Sequence, residues 1–151
     1  ISSDASFRMF ATTRNVQFLE SEYAIPRDAL PEVLRAVGDL ARRLPVGPAF
    51  PVEVRFAAAD DVWLSTGFER ANAYVAVHQF VGMAHEEYFA EFARICAAVQ
   101  GRPHWGKMHP LGAADLAELY PRFAQAAALR REVDPDGLFL NEHVREVFGE
   151  G

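Results

Sequence analysis

The period at which hydrophobic residues recur is the feature that most limits the folds open to this chain. They recur three and four positions apart over residues 28–44 and again over 85–99, which is typical of amphipathic helices. The other structured stretches are rich in β-formers, with apolar and polar residues interleaved: 15–24, 52–56 and 74–80. A strand at 102–105 completes the order β-α-β-β-α-β. This order predicts a ferredoxin-like α+β fold, in which two helices cover one face of an antiparallel sheet.

A helical tail is predicted after this core. One helix is expected over residues 113–120, and Pro121 is expected near the first position of a second helix that runs to about residue 133. A turn follows at 134–137, and Asn141 is predicted to cap a last short helix. A chain of 151 residues can bury one core without cross-links. We therefore predict a single domain over 1–151, with its core over about 1–110 and its tail over 111–151.

Charge and cysteine content exclude several classes of function. The formal net charge of -6 argues against nucleic-acid binding, which needs an excess of Lys and Arg. Cys96 has no second cysteine to pair with, which fits a reducing compartment. No apolar run reaches the roughly 18 residues of a membrane span, and no signal peptide opens the sequence. We expect a cytoplasmic protein, free or membrane-associated, and the start at Ile1 suggests a segment of something longer.

Charged side chains are predicted to share one face of the sheet. Side chains two residues apart on a strand point to the same face. Glu53 and Arg55 are therefore predicted on one face, and Val52 and Val54 on the other. The same rule pairs Glu20 with Glu22, and places His78 on the corresponding face of the third strand. A solvated sheet face with a weak exposed ion pair would show the same pattern. Periodicity alone therefore leaves open whether this face is a site.

Other common sites are not predicted. His104 and His109 are five positions apart and lack the spacing of a metal-binding helix. Ser65 lacks the Gly-x-Ser-x-Gly frame of a serine nucleophile. Gly101 and Gly106 flank Arg-Pro-His-Trp instead of opening a helix, so the sequence contains no glycine-rich phosphate loop.

The run His104-Trp105-Gly106-Lys107 is the most distinctive motif of the chain. Further matching segments lie in a consistent order around it: 20–26, 52–55, 59–65, 76–78 and 134–139. Together they resemble, over nearly the whole chain, the family of D-arabinono-1,4-lactone oxidase, L-gulono-1,4-lactone oxidases and bacterial alditol oxidases. These are FAD-linked enzymes of the vanillyl-alcohol-oxidase type.

This resemblance implies that the chain is the C-terminal cap, or substrate-side, domain of such an enzyme. The N-terminal flavin-binding domain of the same protein is its expected partner, and would bind FAD with little help from this chain. A small sugar lactone or polyol is the implied substrate. The isolated chain is then expected to be inactive.

The resemblance also implies roles for individual residues. Arg55 would stabilise negative charge on the flavin, Glu53 would accept a substrate hydroxyl, and Lys107 would donate to flavin or substrate oxygens. The predicted catalytic residues are Glu53, Arg55 and Lys107. The predicted substrate-binding residues are His78, Phe80 and His104, and the predicted cofactor-binding residues are Arg55, Trp105 and Lys107.

Three readings of the function remain open at this point. The segment from Ala76 to Phe80 favours an aldono-1,4-lactone as substrate. An alditol such as xylitol or sorbitol is the alternative within the same family. A non-catalytic ferredoxin-like domain, for which the charged face is a ligand-binding or docking surface, is the alternative of another class.

Overall fold

The computed structural model describes residues 4–9 and 15–149, so the ends of the predicted domain over 1–151 lie outside the described residues. Within these residues there are nine helices and strands, in the order β1 Phe18–Pro26, α1 Leu30–Arg43, β2 Glu53–Ala57, β3 Asn72–Phe80, α2 Glu86–Ala97, β4 Arg102–Pro103, α3 Ala113–Leu119, α4 Phe123–Val133 and α5 Glu142–Phe148. Two single turns of 3-10 helix precede β1 and α1, at Ser6–Arg8 and Arg27–Ala29 respectively.

The strands form one antiparallel sheet in the order β2-β3-β1-β4. This order, with α1 and α2 as connections, confirms the predicted β-α-β-β-α-β topology and the α+β fold class. The first strand was predicted three residues early. It begins at Phe18 and continues through Ile25 to Pro26, because β3 supplies ladder partners for both of these residues.

The main core lies between the sheet and the two helices that cover it. Alternation places one set of β1 and β3 side chains on this face, and both helices pack their apolar stripes against that set. The buried residues include Tyr23, Ile25, Val75 and Val77 from the strands, Val33, Val37 and Leu40 from α1, and Phe92 and Cys96 from α2. Burial raises the pKa of the Cys96 thiol, so this cysteine behaves as a core residue and not as a nucleophile.

The tail helices α3, α4 and α5 form a second apolar cluster around Leu116, Tyr120, Phe123 and Val147. The prediction that Pro121 opens a helix was wrong. Residues 121–122 instead form a turn after the buried Tyr120, closed by a hydrogen bond from Phe123 N to Tyr120 O at 3.0 Å, and α4 begins at Phe123. The prediction for Asn141 is confirmed, because its side-chain oxygen accepts a hydrogen bond from Val144 N at 2.8 Å.

None of the helices in the described part of the chain is long and apolar enough to cross a membrane. The face of the sheet away from α1 and α2 carries the charged residues. The tail lies beside this face, where its Tyr120 packs with Trp105 of the preceding loop. This arrangement leaves a polar sheet face with a helical wall at one side.

Candidate active site

The strand register brings the predicted charged face together. Glu20 lies opposite His78, and Glu22 lies opposite Ala76, whose other neighbour in the ladder is Glu53. Because Ala76 has a small side chain, the Arg55 side chain of the outer strand can reach over β3 to Glu22. The hydrogen bond from Arg55 Nη2 to Glu22 Oε1 makes this crossing. The register thus brings together the five strand positions that alternation predicted on one face: Glu20, Glu22, Glu53, Arg55 and His78.

The loop at 104–108 brings a further cation to this face. His104 N donates to Glu22 O and Met108 N donates to Glu20 O, both at 2.9 Å, so the loop leaves and rejoins the edge of β1. Lys107 N donates to His104 O at 3.0 Å and closes the turn between these two points. The backbone of β1 thus sets where the Lys107 side chain begins.

Lys107 lies between two carboxylates. Its Nζ donates to Glu20 Oε1 and to Glu22 Oε2, while the other oxygen of Glu22 accepts from Arg55. The side chain of Glu22 has 0% of its surface exposed and that of Lys107 only 17%, whereas Arg55 is half exposed. Arg55 Nε also lies 3.2 Å from Oε1 of the half-exposed Glu53. We call these five residues, together with His78, the ion cluster.

The pKa of Glu20 reflects two opposing causes. Burial of the carboxyl opposes its ionisation, but a hydrogen bond from Lys107, the charge of Lys107 and then His78 favour the charged form. The net effect holds the pKa of Glu20 below its ordinary value.

His78 lies at the inner end of the ion cluster, enclosed by aromatic rings. Its Nε2 is 3.1 Å from Glu20 Oε1, and its ring centroid lies 5.2 Å from that of Phe18 and 5.7 Å from that of Phe50. Phe80 packs on Phe50 with a centroid distance of 4.4 Å, so it supports this enclosure from one layer further out. The Nδ1 atom of His78 is buried and has no hydrogen-bond partner among the residues that the structure describes.

A cleft of about 670 Å³ opens beside the ion cluster. Three of the predicted site residues line it: Arg55, His104 and Trp105. Its remaining lining comes from Glu22, Phe56, Ala57, Leu64, Ser65, Thr66, Tyr74, Pro103, Gly106 and Tyr120. Glu53, His78, Phe80 and Lys107 are not part of this lining, although all but Phe80 belong to the ion cluster. Two members of the cluster, Arg55 and Glu22, therefore border the cleft, and of these only Arg55 has exposed side-chain surface.

The His-Trp-Gly-Lys motif points its side chains in different directions. Lys107 joins the ion cluster, His104 is exposed at the cleft, and its Nδ1 accepts a hydrogen bond from Gly106 N at 3.1 Å. The Trp105 ring contacts Tyr120 and Phe148 of the tail, with centroid distances of 5.7 and 5.8 Å. Trp105 thus holds the loop against the tail while it also forms part of the cleft wall.

Comparison with known proteins identifies the family of this chain. Residues 1–147 match the model of the family described as D-arabinono-1,4-lactone oxidase. The chain belongs to this family. Its resemblance to aldonolactone and alditol oxidases, which rested on motifs, is thereby confirmed.

Relatives within and around the aldonolactone oxidase family cover most of the chain. An L-gulono-1,4-lactone dehydrogenase of Mycobacterium tuberculosis is 49% identical over 97% of the chain and 34% of its own length. An alditol oxidase of Streptomyces is 36% identical over 93% of the chain and 34% of its own length. An L-gulonolactone oxidase of Bos taurus is 34% identical over 84% of the chain and 30% of its own length. The chain thus spans about a third of the length of these relatives.

Sequence reasoning missed several residues that shape the site of this family member. Glu20 and Glu22 were placed on the right face by alternation, but no role was assigned to either of them. Tyr74 shares that face, and its hydroxyl lies 2.6 Å from Thr66 Oγ1 across the cleft lining. Thr66 belongs to an irregular loop, which has no period to predict its position. Burial raises the pKa of Tyr120, which closes the cleft on the tail side, to about 12 and keeps its phenol neutral.

Proposed function

We propose that this chain is the substrate-side half of an FAD-dependent oxidoreductase that oxidises an aldono-1,4-lactone. The observation that carries this proposal is the ion cluster, whose buried part adjoins a cleft large enough for a small sugar. The family membership supports oxidation as the reaction class. A flavin-binding domain of the same protein would cover the polar sheet face.

The residues present fit the ring end of a flavin better than its phosphates. The sequence has no glycine-rich phosphate loop, so the diphosphate would be bound by the other domain. The cleft instead combines apolar surface from Pro103, Trp105 and Tyr120 with the guanidinium of Arg55. A planar ring system with polar edges can stack its faces on such apolar surface and accept a hydrogen bond from the guanidinium at its edge. Bound FAD would supply the hydride acceptor for oxidation of a substrate carbinol carbon.

Arg55 is the cation that the cleft presents. Its guanidinium presents planar donors and lies over the Tyr74 ring at 5.6 Å from the centroid. Anchored by Glu22 on one side and Glu53 on the other, it retains donors for an oxygen that gains negative charge. We assign to Arg55 the stabilisation of this negative charge. We assign to Glu53 the acceptance of a hydrogen bond from a substrate hydroxyl.

Loss of the hydroxyl proton needs an acceptor near the cleft. Glu20 Oε1 is shared by Lys107 Nζ and His78 Nε2, which connects these three groups by hydrogen bonds. The phenylalanine rings around His78 limit the access of water to its side of the network. We assign the acceptance of this proton to His78, which Glu20 links to Lys107, and we assign hydrogen-bond donation to the Lys107 ammonium.

An alditol is the second candidate substrate, favoured by the 36% identity to an alditol oxidase over 93% of the chain. Lactone is preferred because the identity to the lactone dehydrogenase is higher, at 49% over 97% of the chain. Both substrates present a hydroxyl-bearing carbon to the same cleft. They differ in the ring and in the carbonyl oxygen.

Flavin bleaching in the intact protein tests the proposal. The protein that contains this chain is mixed without oxygen with L-gulono-1,4-lactone, D-arabinono-1,4-lactone or xylitol, and flavin absorbance is followed over time. We expect a lactone to bleach the flavin fastest. Faster bleaching by xylitol would support the alditol alternative. A flavin that none of the three substrates bleaches would contradict the proposed reaction and favour a non-catalytic ligand-binding role.

A further inference from the structure

Glu22 is a carboxylate with no exposed side-chain surface. Burial of a charge costs several kcal/mol unless the charge is paired and hydrogen-bonded. Glu22 meets this condition with two cations, since Oε1 accepts from Arg55 and Oε2 accepts from Lys107. Both oxygens are therefore in use, and the side chain that carries them has no exposed surface. Glu22 has to act on a ligand through its two partners.

Lys107 is the only lysine in the sequence, beside fourteen arginines. An ammonium group has three N–H donors, and Glu20 and Glu22 accept two of them. Among the residues that the structure describes, no third acceptor is seen, which leaves one donor for a further oxygen. Lysine has a long and flexible side chain, so the direction of that donor depends on the two carboxylates that hold the nitrogen.

The two cations reach Glu22 on the same face of the sheet but from opposite flanks of β1. Arg55 comes from the outer strand β2, and Lys107 comes from the loop at 104–108 beside the other edge of β1. No backbone hydrogen bond joins β2 to this loop among those that the structure describes. The separation between the guanidinium and the ammonium is therefore set by the carboxylate that both of them contact.

We propose that Glu22 is a positioning residue, which fixes the separation and direction of the Arg55 and Lys107 donors. Glu20 contributes only at Lys107, because its second contact is His78. This inference rests on the proposed function, since positioning matters for turnover only where Arg55 and Lys107 act on a substrate. A mere structural role for Glu22 would affect stability alone.

The test compares Glu22→Asp and Glu22→Gln with wild type in the intact flavoprotein, with rates expressed per bound flavin. Aspartate keeps the charge but is one methylene shorter, so it cannot reach both cations. A misplacement of about 1 Å in a positioned group can cost on the order of 100-fold in rate, and we expect a loss of this size in kcat/KM for both variants, mainly in kcat. The matched control is Glu87→Gln, an exposed carboxylate on α2, behind the other face of the sheet.

Coupling to Lys107 separates positioning from stability. In a Lys107→Met background one of the two cations is already lost, so Glu22→Gln should cost much less than it does in wild type. Equal losses in both backgrounds, or variants as active as the Glu87→Gln control, would overturn the inference. A wild type that does not oxidise lactones at all would instead contradict the proposed function, so the two failures are distinguishable.

The rate at which the Lys107 amine is acetylated gives a readout that does not depend on turnover. It also allows a milder variant, Glu20→Gln, to be compared. Because Lys107 is the only lysine of this segment, one proteolytic peptide reports its acetylation by an amine-reactive ester. The two carboxylates hold and shield Nζ, so Glu22→Gln and the partly exposed Glu20→Gln should each speed labelling several-fold. Labelling at the wild-type rate in the folded Glu20→Gln protein would contradict the placement of Lys107 by these carboxylates, even if the Glu22 variants failed to fold.

Discussion

The two faces of the sheet use the same strands for opposite purposes. On the face that α1 and α2 cover, Tyr23, Val75 and Phe92 pack with almost no exposed surface. On the other face, Glu22 is buried equally well but as a charge between two cations. Apolar burial is the main stabilising term in folding, whereas a buried ion pair contributes little net stability. The first face should thus govern folding, and the second should govern chemistry.

Truncation of the core should have the largest effect, and it should fall on stability. Phe92 has 0% of its surface exposed, and replacing such a phenylalanine by alanine removes its transfer free energy and leaves a cavity. We expect Phe92→Ala to lower the free energy of unfolding by about 3–5 kcal/mol, measured by urea unfolding of the chain. The matched control is Phe139→Ala, because Phe139 is 85% exposed. Equal effects of the two substitutions would contradict the assignment of the core.

Removal of the ammonium on the polar face should have the next largest effect, and it should fall on turnover. Lys107→Met keeps the volume of the side chain but removes a positioned donor, and loss of one such donor typically lowers kcat by about 10²–10³-fold. Glu22 would still be paired with Arg55, so the fold should survive. Steady-state kinetics of the intact protein measure this effect. The control is Arg42→Met, on the exposed part of α1, which should leave the rate unchanged. A loss of less than about tenfold in kcat for Lys107→Met would contradict a catalytic role for Lys107.

The smallest expected effect is a pH dependence on the polar face. The pKa of Glu20 is lowered in the folded chain, so its contribution to stability is present above the ordinary carboxyl pKa of 4.5 and is lost as pH falls through the folded value. We therefore expect wild type to be more stable than Glu20→Gln near neutral pH, and this difference to disappear in acid. Urea unfolding from about pH 7 to about pH 3 measures it. A difference that persists at the acid end would show that the charge of Glu20 is not its cause.

Periodicity predicted the faces of the sheet because alternation is a local property of each strand. The positions of Glu20, Glu53 and His78 followed from it without knowledge of the register. The contact between Glu22 and Lys107 could not be predicted in this way, since it joins residues 85 positions apart through a loop held by two backbone hydrogen bonds to β1. Only the family resemblance of the motif indicated that Lys107 belongs to the same site as Arg55.

Propensity failed where more than one local structure was open to the same residues. Pro121 has the usual character of a first helical residue, but residues 121–122 form a turn closed by Phe123 N and Tyr120 O, and α4 begins at Phe123. The cleft wall at Ser65 and Thr66 was equally unpredictable. These residues lie in a loop that Asp60 organises, through hydrogen bonds from Ser65 Oγ and Val62 N.

A crystal structure of the intact protein with its flavin and a bound lactone tests the central claim most directly. We predict that the flavin ring and the lactone contact the polar sheet face, with Arg55 and Lys107 donating hydrogen bonds to flavin or lactone oxygens and with Glu22 between them. A flavin bound away from this face, or a lactone that touches neither cation, would contradict the account.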